Sequence, residues 1–139
     1  MPDTIAAELE DLSAEFDILG DWEERYRHII DLGRQLATLD DAERVEANKV
    51  RGCASQVWLV TESQDDGTVV FKGDSDAHIV RGLVAIVLRL YSGRPREEIL
   101  SFDAKAAFAE LGLAGALSAQ RSNGLAAMVD RIRRDAAAA

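Results

Sequence analysis

Apolar residues near the start of the chain recur at alternating spacings of four and three: Ile5, Leu9, Leu12, Phe16 and Leu19. That is the period of one buried helix face, and Gly20 breaks it. Asp21-Trp22-Glu23-Glu24 has the form of a capping box, with Asp21 accepting from the next turn and Glu24 reaching back. The helix it opens carries Trp22, Tyr26, Ile29 or Ile30, Gly33 and Leu36 along one side, and Asp40 and Asp41 close the segment.

From Arg44 the pattern shortens. Residues 45–51 read as a short extended piece, and residues 55–62 are rich in β-formers (Val57, Trp58, Val60, Thr61). Asp65-Asp66-Gly67 signals a hairpin turn, after which residues 68–72 return the chain. Three short strands in succession predict an antiparallel meander, with Cys53 at the tip joining the first two. Gly73-Asp74-Ser75-Asp76 marks a boundary where Asp or Ser caps a helix. Residues 77–91 are apolar on most faces, which predicts a helix buried centrally against the sheet. Pro95 suits the first position of a short helix running to about Leu100. A further helix is predicted over 104–111, ended by Gly112, and a last one over 122–135 with Leu125, Met128, Val129 and Ile132 on one face. The final alanines are expected to fray. With no internal repeat or long linker, residues 1–139 read as a single α+β domain.

Composition narrows the classes of function. The chain has 139 residues, 47% hydrophobic and 29% charged, which suits a globular domain able to bury roughly two-thirds of its unfolded surface. Its formal net charge is −9, so it lacks the basic footprint that nucleic acid or an anionic membrane requires. Met1-Pro2-Asp3-Thr4 offers neither a basic nor an apolar leader region, and the most apolar stretch, 79–91, is too short to span a bilayer. One cysteine without a pairing partner suits a reducing compartment. A cytoplasmic protein is expected.

That cysteine is the candidate for chemistry. Cys53 cannot close an internal disulfide or build a multi-cysteine metal site, so any chemistry it has belongs to one sulfur acting alone. The bland reading is a small buried hydrophobe. Against it, Gly52 and Ala54 leave the sulfur accessible, a turn between strands lies at the surface, and Lys49 and Arg51 bring positive charge. An ordinary thiol is only a few per cent thiolate at neutral pH, and cations that reach the sulfur raise that fraction. Trp22 and Trp58 read as core, His28 and His78 have no metal-ligand spacing, and Lys105 follows no glycine-rich phosphate loop. No metal and no nucleotide site are expected.

Gly52-Cys53-Ala54-Ser55-Gln56-Val57-Trp58 resembles the signature of the SufE family, sulfur acceptors for cysteine desulfurases in iron–sulfur cluster assembly. Trp22-Glu23-Glu24-Arg25-Tyr26 with Ile29-Ile30-Asp31-Leu32-Gly33 is similar to the family's N-terminal helix. Gly73-Asp74-Ser75-Asp76-Ala77 with Ile79-Val80-Arg81-Gly82-Leu83 resembles its central helix. Leu117-Ser118, Arg121-Ser122-Asn123-Gly124-Leu125 and Met128 resemble its C-terminal motif, so the likeness covers nearly the whole chain. One departure is Ala54, where many members carry a polar residue.

The resemblance implies a three-stranded antiparallel sheet with helices mainly on one face, related to cluster scaffolds of the IscU type. It implies that Cys53 bears a persulfide taken from a cysteine desulfurase, which the protein also stimulates. Arg51, Gly52, Ser55, Gln56, Asp76 and Arg121 are the implied supporting and partner-contact residues. Bland readings stand beside these: Asp76 as a helix cap, Arg121 as an exposed helix-start arginine, Ser55 and Gln56 as plain turn and strand. The implied partners are the desulfurase and an iron–sulfur scaffold complex that receives the sulfur, and a homodimer is compatible with the resemblance. No cofactor is expected on this chain, since pyridoxal phosphate belongs to the desulfurase. The protein would be a stoichiometric carrier rather than an enzyme. A sister branch serves a cysteine sulfinate desulfinase and supplies other acceptors. Other classes are a cluster scaffold, for which one cysteine is too few, a one-cysteine peroxidase, and an adaptor with an inert thiol.

Overall fold

A computed structural model describes residues 4–139; the reading of Met1 to Asp3 as leader-free lies outside them. Thr4 opens α1 (Ile5–Ile18), its Oγ1 accepting from the Ala7 N–H at 3.1 Å. Ile5, Leu12 and Phe16 are buried on the predicted face, with Leu9 half-buried. Asp21 caps α2 (Trp22–Arg34) by accepting from the Glu24 N–H at 2.9 Å. Glu24 reaches back one residue beyond the cap, to the Gly20 N–H at 2.9 Å, a variant of the expected capping box.

The sheet is three-stranded and antiparallel, in the order β1-β2-β3. β1 (Val57–Ser63) and β2 (Thr68–Ser75) pair from Val57 with Ser75 to Ser63 with Val69. The turn between them places Gly67 at φ 87°, a conformation that side chains resist. The third strand is not the one predicted. It is β3 (Arg94–Pro95), which pairs with the start of β2. In the predicted segment, Glu46–Asn48 form a 3-10 turn and Lys49 makes an isolated bridge to Trp58. The Ala47 and Lys49 carbonyls of this segment accept from Arg131 of the last helix.

One sheet face, with Val57, Leu59, Val69 and Phe71, is buried in the core. α3 (His78–Tyr91) lies against it, and a Cβ added at Gly73 of β2 would sit 2.9 Å from Val84 Cγ1. α3 also meets α1, α2 and α7, the central burial that its all-round apolar pattern predicted. Its crossing with α2 is closest at Gly33 and Gly82, where a Cβ on Gly82 would lie 2.1 Å from the Ile29 carbonyl oxygen. The other sheet face is covered in part by the segment before β1. There Lys72 pairs with Glu43 at 2.8 Å, and Arg44 pairs with buried Asp74 at 2.7 Å while lying over Trp58.

The remaining helices are α4 (Arg96–Ser101), α5 (Ala104–Glu110), α6 (Leu113–Ala116) and α7 (Ala119–Ala138). α6 is a single turn, too short to leave a periodic signal. α7 begins earlier than predicted because Ser118 caps it, accepting from the Arg121 N–H at 3.3 Å. It continues through Ala138 with Ala136 fully buried. Among the described residues, no helix is long and apolar enough to cross a membrane.

Candidate functional site around Cys53

Residues 51–56 form the loop between the Lys49 bridge and β1. Gly52 turns it at φ 92°, and a Cβ there would come 3.3 Å from Ala127 Cβ of α7. Both conformation and space therefore call for glycine, and the turn directs Cys53 onto the flank of α7. The half-buried thiol points at the Gly124 carbonyl oxygen, 3.6 Å away. The sulfur packs against this residue, since a Cβ on Gly124 would sit in ordinary van der Waals contact, 3.5 Å from Sγ.

The sulfur lies in the wall of a cleft of about 290 Å³. The floor is apolar, from Ile79, Val80 and Leu83 of α3 and Leu125 and Met128 of α7. Ser55, Ser118, Gln120 and Arg121 add polar groups to the lining. Of the implied supporting residues, Ser55 and Arg121 thus share the cleft with Cys53. The Arg121 side chain is exposed and, among the described residues, its guanidinium makes no ion pair or hydrogen bond.

Asp76 is not the helix cap of the bland reading. Ala77 holds the N-cap position of α3 without a side-chain bond. The Asp76 carboxylate turns back to the loop, accepting from the Gln56 N–H at 3.1 Å and from Gln56 Nε2 at 3.5 Å. Ser75 Oγ donates to the Gln56 carbonyl at 2.8 Å. Gln56 is thus held on both sides of its peptide, which fixes the downstream end of the cysteine loop.

The expected cationic activation is absent from this arrangement. Arg51 swings away to pair with Glu46 at 2.8 Å, both side chains being exposed. Partial burial is what acts on Cys53, and it pushes the thiol up from its ordinary value. In this position the sulfur donates toward a carbonyl, and burial disfavours its thiolate. Trp22 and Trp58 lie outside the cleft, as do His28, which contacts Glu15, and exposed His78. Among the described residues, no group of three or more His, Cys, Asp or Glu side chains could hold a metal ion.

Residues 10–136 match the SufE family, described as an Fe-S metabolism associated domain. The chain belongs to the SufE family. It is 54% identical over 133 residues to an uncharacterized SufE-like protein of Rhizobium etli, covering 94% of this chain and 90% of that one. A second uncharacterized SufE-like protein, of Rhizobium meliloti, is 48% identical over 131 residues, covering 92% and 94%. The fold matches the solution structure of a hypothetical protein from Thermus thermophilus with a TM-score of 0.75 at 18% identity, over 95% of this chain and 97% of that one.

Two contributors to this candidate site carried no functional signal in the sequence. The Gly124 acceptor is a main-chain carbonyl, which no side-chain type announces. Arg131, which holds the Ala47 and Lys49 carbonyls at 3.1 and 3.2 Å, reads in the sequence as one of several arginines on the last helix.

Proposed function

We propose that this protein accepts persulfide sulfur on Cys53 from a cysteine desulfurase, stimulates that enzyme, and delivers the sulfur for iron–sulfur cluster assembly. The observation that carries the reading is the seat of Cys53: a single thiol on a glycine-turned loop, held over a cleft by the Gly124 carbonyl and the Asp76–Gln56 contact. A thiol kept solely for packing has no need of a releasable loop or an open cleft beside it.

The chemistry is thiol exchange. Cys53 loses its proton, and its thiolate attacks the outer sulfur of the persulfide on the desulfurase. A new S–S bond forms on Cys53, the old one breaks, and the desulfurase cysteine leaves as thiolate. A second thiolate, on the acceptor complex, repeats the exchange and restores Cys53. Each step is redox-neutral, so one cysteine suffices and no cofactor is required on this chain. A second cysteine here would displace the sulfur as sulfide and leave a disulfide. The raised pKa of the resting thiol fits a carrier that is silent until docking lifts the loop into a more polar setting.

Incubation with a pyridoxal-phosphate cysteine desulfurase and free cysteine, followed by intact mass spectrometry, tests the proposal. The expected result is gain of one sulfur atom that reductant removes and Cys53→Ser abolishes. Binding and stimulation without any adduct would make the protein an adaptor with an inert thiol. Uptake only from a cysteine sulfinate desulfinase would assign it to the sister branch.

A further inference from the structure

Gly124, Ala127, Arg131 and Asp135, at spacings of three and four, form one stripe along α7. Three of them meet the segment that carries Cys53, and the fourth fixes its neighbour. Gly124 accepts from the thiol at 3.6 Å, and Ala127 lies against Gly52. Arg131 donates from its two terminal nitrogens to the Lys49 carbonyl at 3.2 Å and the Ala47 carbonyl at 3.1 Å. Asp135 receives Arg131 Nε on both carboxylate oxygens, at 3.2 and 3.1 Å, and also accepts from Thr61 Oγ1 of β1 at 2.8 Å.

We propose that Arg131 is a positioning residue for sulfur transfer, pinning the upstream stem of the cysteine loop to α7 so that Cys53 comes to rest against Gly124. This rests on the reading of Cys53 as the sulfur acceptor. The guanidinium suits the task because one rigid fork serves both carbonyls while Nε remains on Asp135. The Arg131 side chain is only 16% exposed and its bond to the Lys49 carbonyl is part-buried, while the one to Ala47 is open to solvent. Without the pin, the stem is attached to β1 through the lone Lys49 bridge and the 2.8 Å bond from the Val50 N–H to the Val57 carbonyl. The contacts a partner must break, Cys53 to Gly124 and Gln56 to Asp76, both lie beyond Gly52. The pin lies before it. Docking can therefore swing the loop about a fixed stem, and Arg131 sets where the swing begins.

The rate of Cys53 alkylation by iodoacetamide in the free, full-length protein tests this. Arg131→Ala is expected to react roughly 10-fold faster than the unaltered protein, the factor that follows from losing a charge-assisted hydrogen bond. Arg131→Lys should fall between them, since an ammonium can hold one carbonyl but not fork across two. Arg133→Ala removes another α7 arginine bound to a carbonyl, that of Phe102 at 3.2 Å, and should react at the unaltered rate. Equal rates for Arg131→Ala and the unaltered protein would overturn the proposal. So would equal acceleration in Arg133→Ala, which would trace the effect to a loosened helix. If Arg131→Ala does not fold by circular dichroism, Arg131→Lys and Arg131→Gln carry the same comparison. No desulfurase enters this assay, so its failure and a failure of sulfur uptake are told apart.

Discussion

The Asp76 carboxylate holds the downstream end of the cysteine loop through the Gln56 N–H, and both residues are exposed. Water competes for such a bond, so it biases the loop without locking it. Asp76→Ala should raise the alkylation rate of Cys53 about fivefold and shift the thermal midpoint by no more than about 3 °C. An unchanged rate would show that Gly124 and the pinned stem hold the sulfur without Asp76. The thiol itself should titrate on the alkaline side of free cysteine, because burial raises it and Arg51 is turned to Glu46. A pH profile of alkylation checks this, and a midpoint at or below that of free cysteine would contradict the resting geometry. Cys53 was legible in the sequence because its residue type is unique in the chain and its neighbours are small. The fate of the nearby charge was not, since a sequence does not say that Arg51 prefers Glu46 to the sulfur.

Among the elements, the α2–α3 crossing is the least tolerant of change. Alanine favours a helix interior over glycine by about 1 kcal/mol. At Gly82, however, a Cβ would meet the Ile29 carbonyl oxygen at 2.1 Å, and main chain cannot step aside as a flexible side chain can. The clash outweighs the propensity, and Gly82→Ala should cost about 3 kcal/mol and lower the thermal midpoint by roughly 10 °C. Gly115→Ala is the matched control, because nothing lies within 4 Å of a Cβ there and its φ is not positive. It should be neutral or slightly stabilising. Similar losses in both variants would mean that the helices separate to accommodate the methyl. Elements with several periodic turns were legible: α1, α2 and α3 fall where their apolar stripes predicted, and α7 carries its predicted stripe within a longer helix. β3 and α6 were not, being two and four residues long. Neither period can be read from so few positions, and β3 exists only because α3 returns the chain to the edge of β2.

Across the whole molecule, a charged cluster ties the first three helices together. Arg89 of α3 binds Glu8 and Glu15 of α1, and His28 of α2 contacts Glu15 at 2.9 Å. The hydrogen bond from Arg89 is the main reason the Glu15 carboxyl is held below its ordinary value near 4.5, and the same pair raises Arg89. A carboxyl lowered by folding stabilises the native state above its unfolded pKa, and that contribution is lost as pH falls through the folded value. Half-buried Glu43, paired with Lys72, and exposed Asp66, bonded to Thr68, are lowered in the same direction. At the alkaline end the sign reverses. Burial raises Cys53 and pushes Tyr91 up to about 12, so their contribution is complete below the unfolded pKa values and disappears as pH climbs through the folded ones. A third effect acts between these limits: the net charge of −9 repels itself at neutrality and is relieved toward the isoelectric point near 4.7. Acidification from pH 7 thus helps until Glu15 starts to take up protons, which places the stability maximum at roughly pH 5–6. Urea midpoints across pH check this, with Glu15→Gln expected to flatten the acid arm and Cys53→Ser to flatten the onset of the alkaline arm. An acid arm of unchanged slope in Glu15→Gln would remove the helix-tying cluster from the account and leave acid unfolding to the exposed carboxylates.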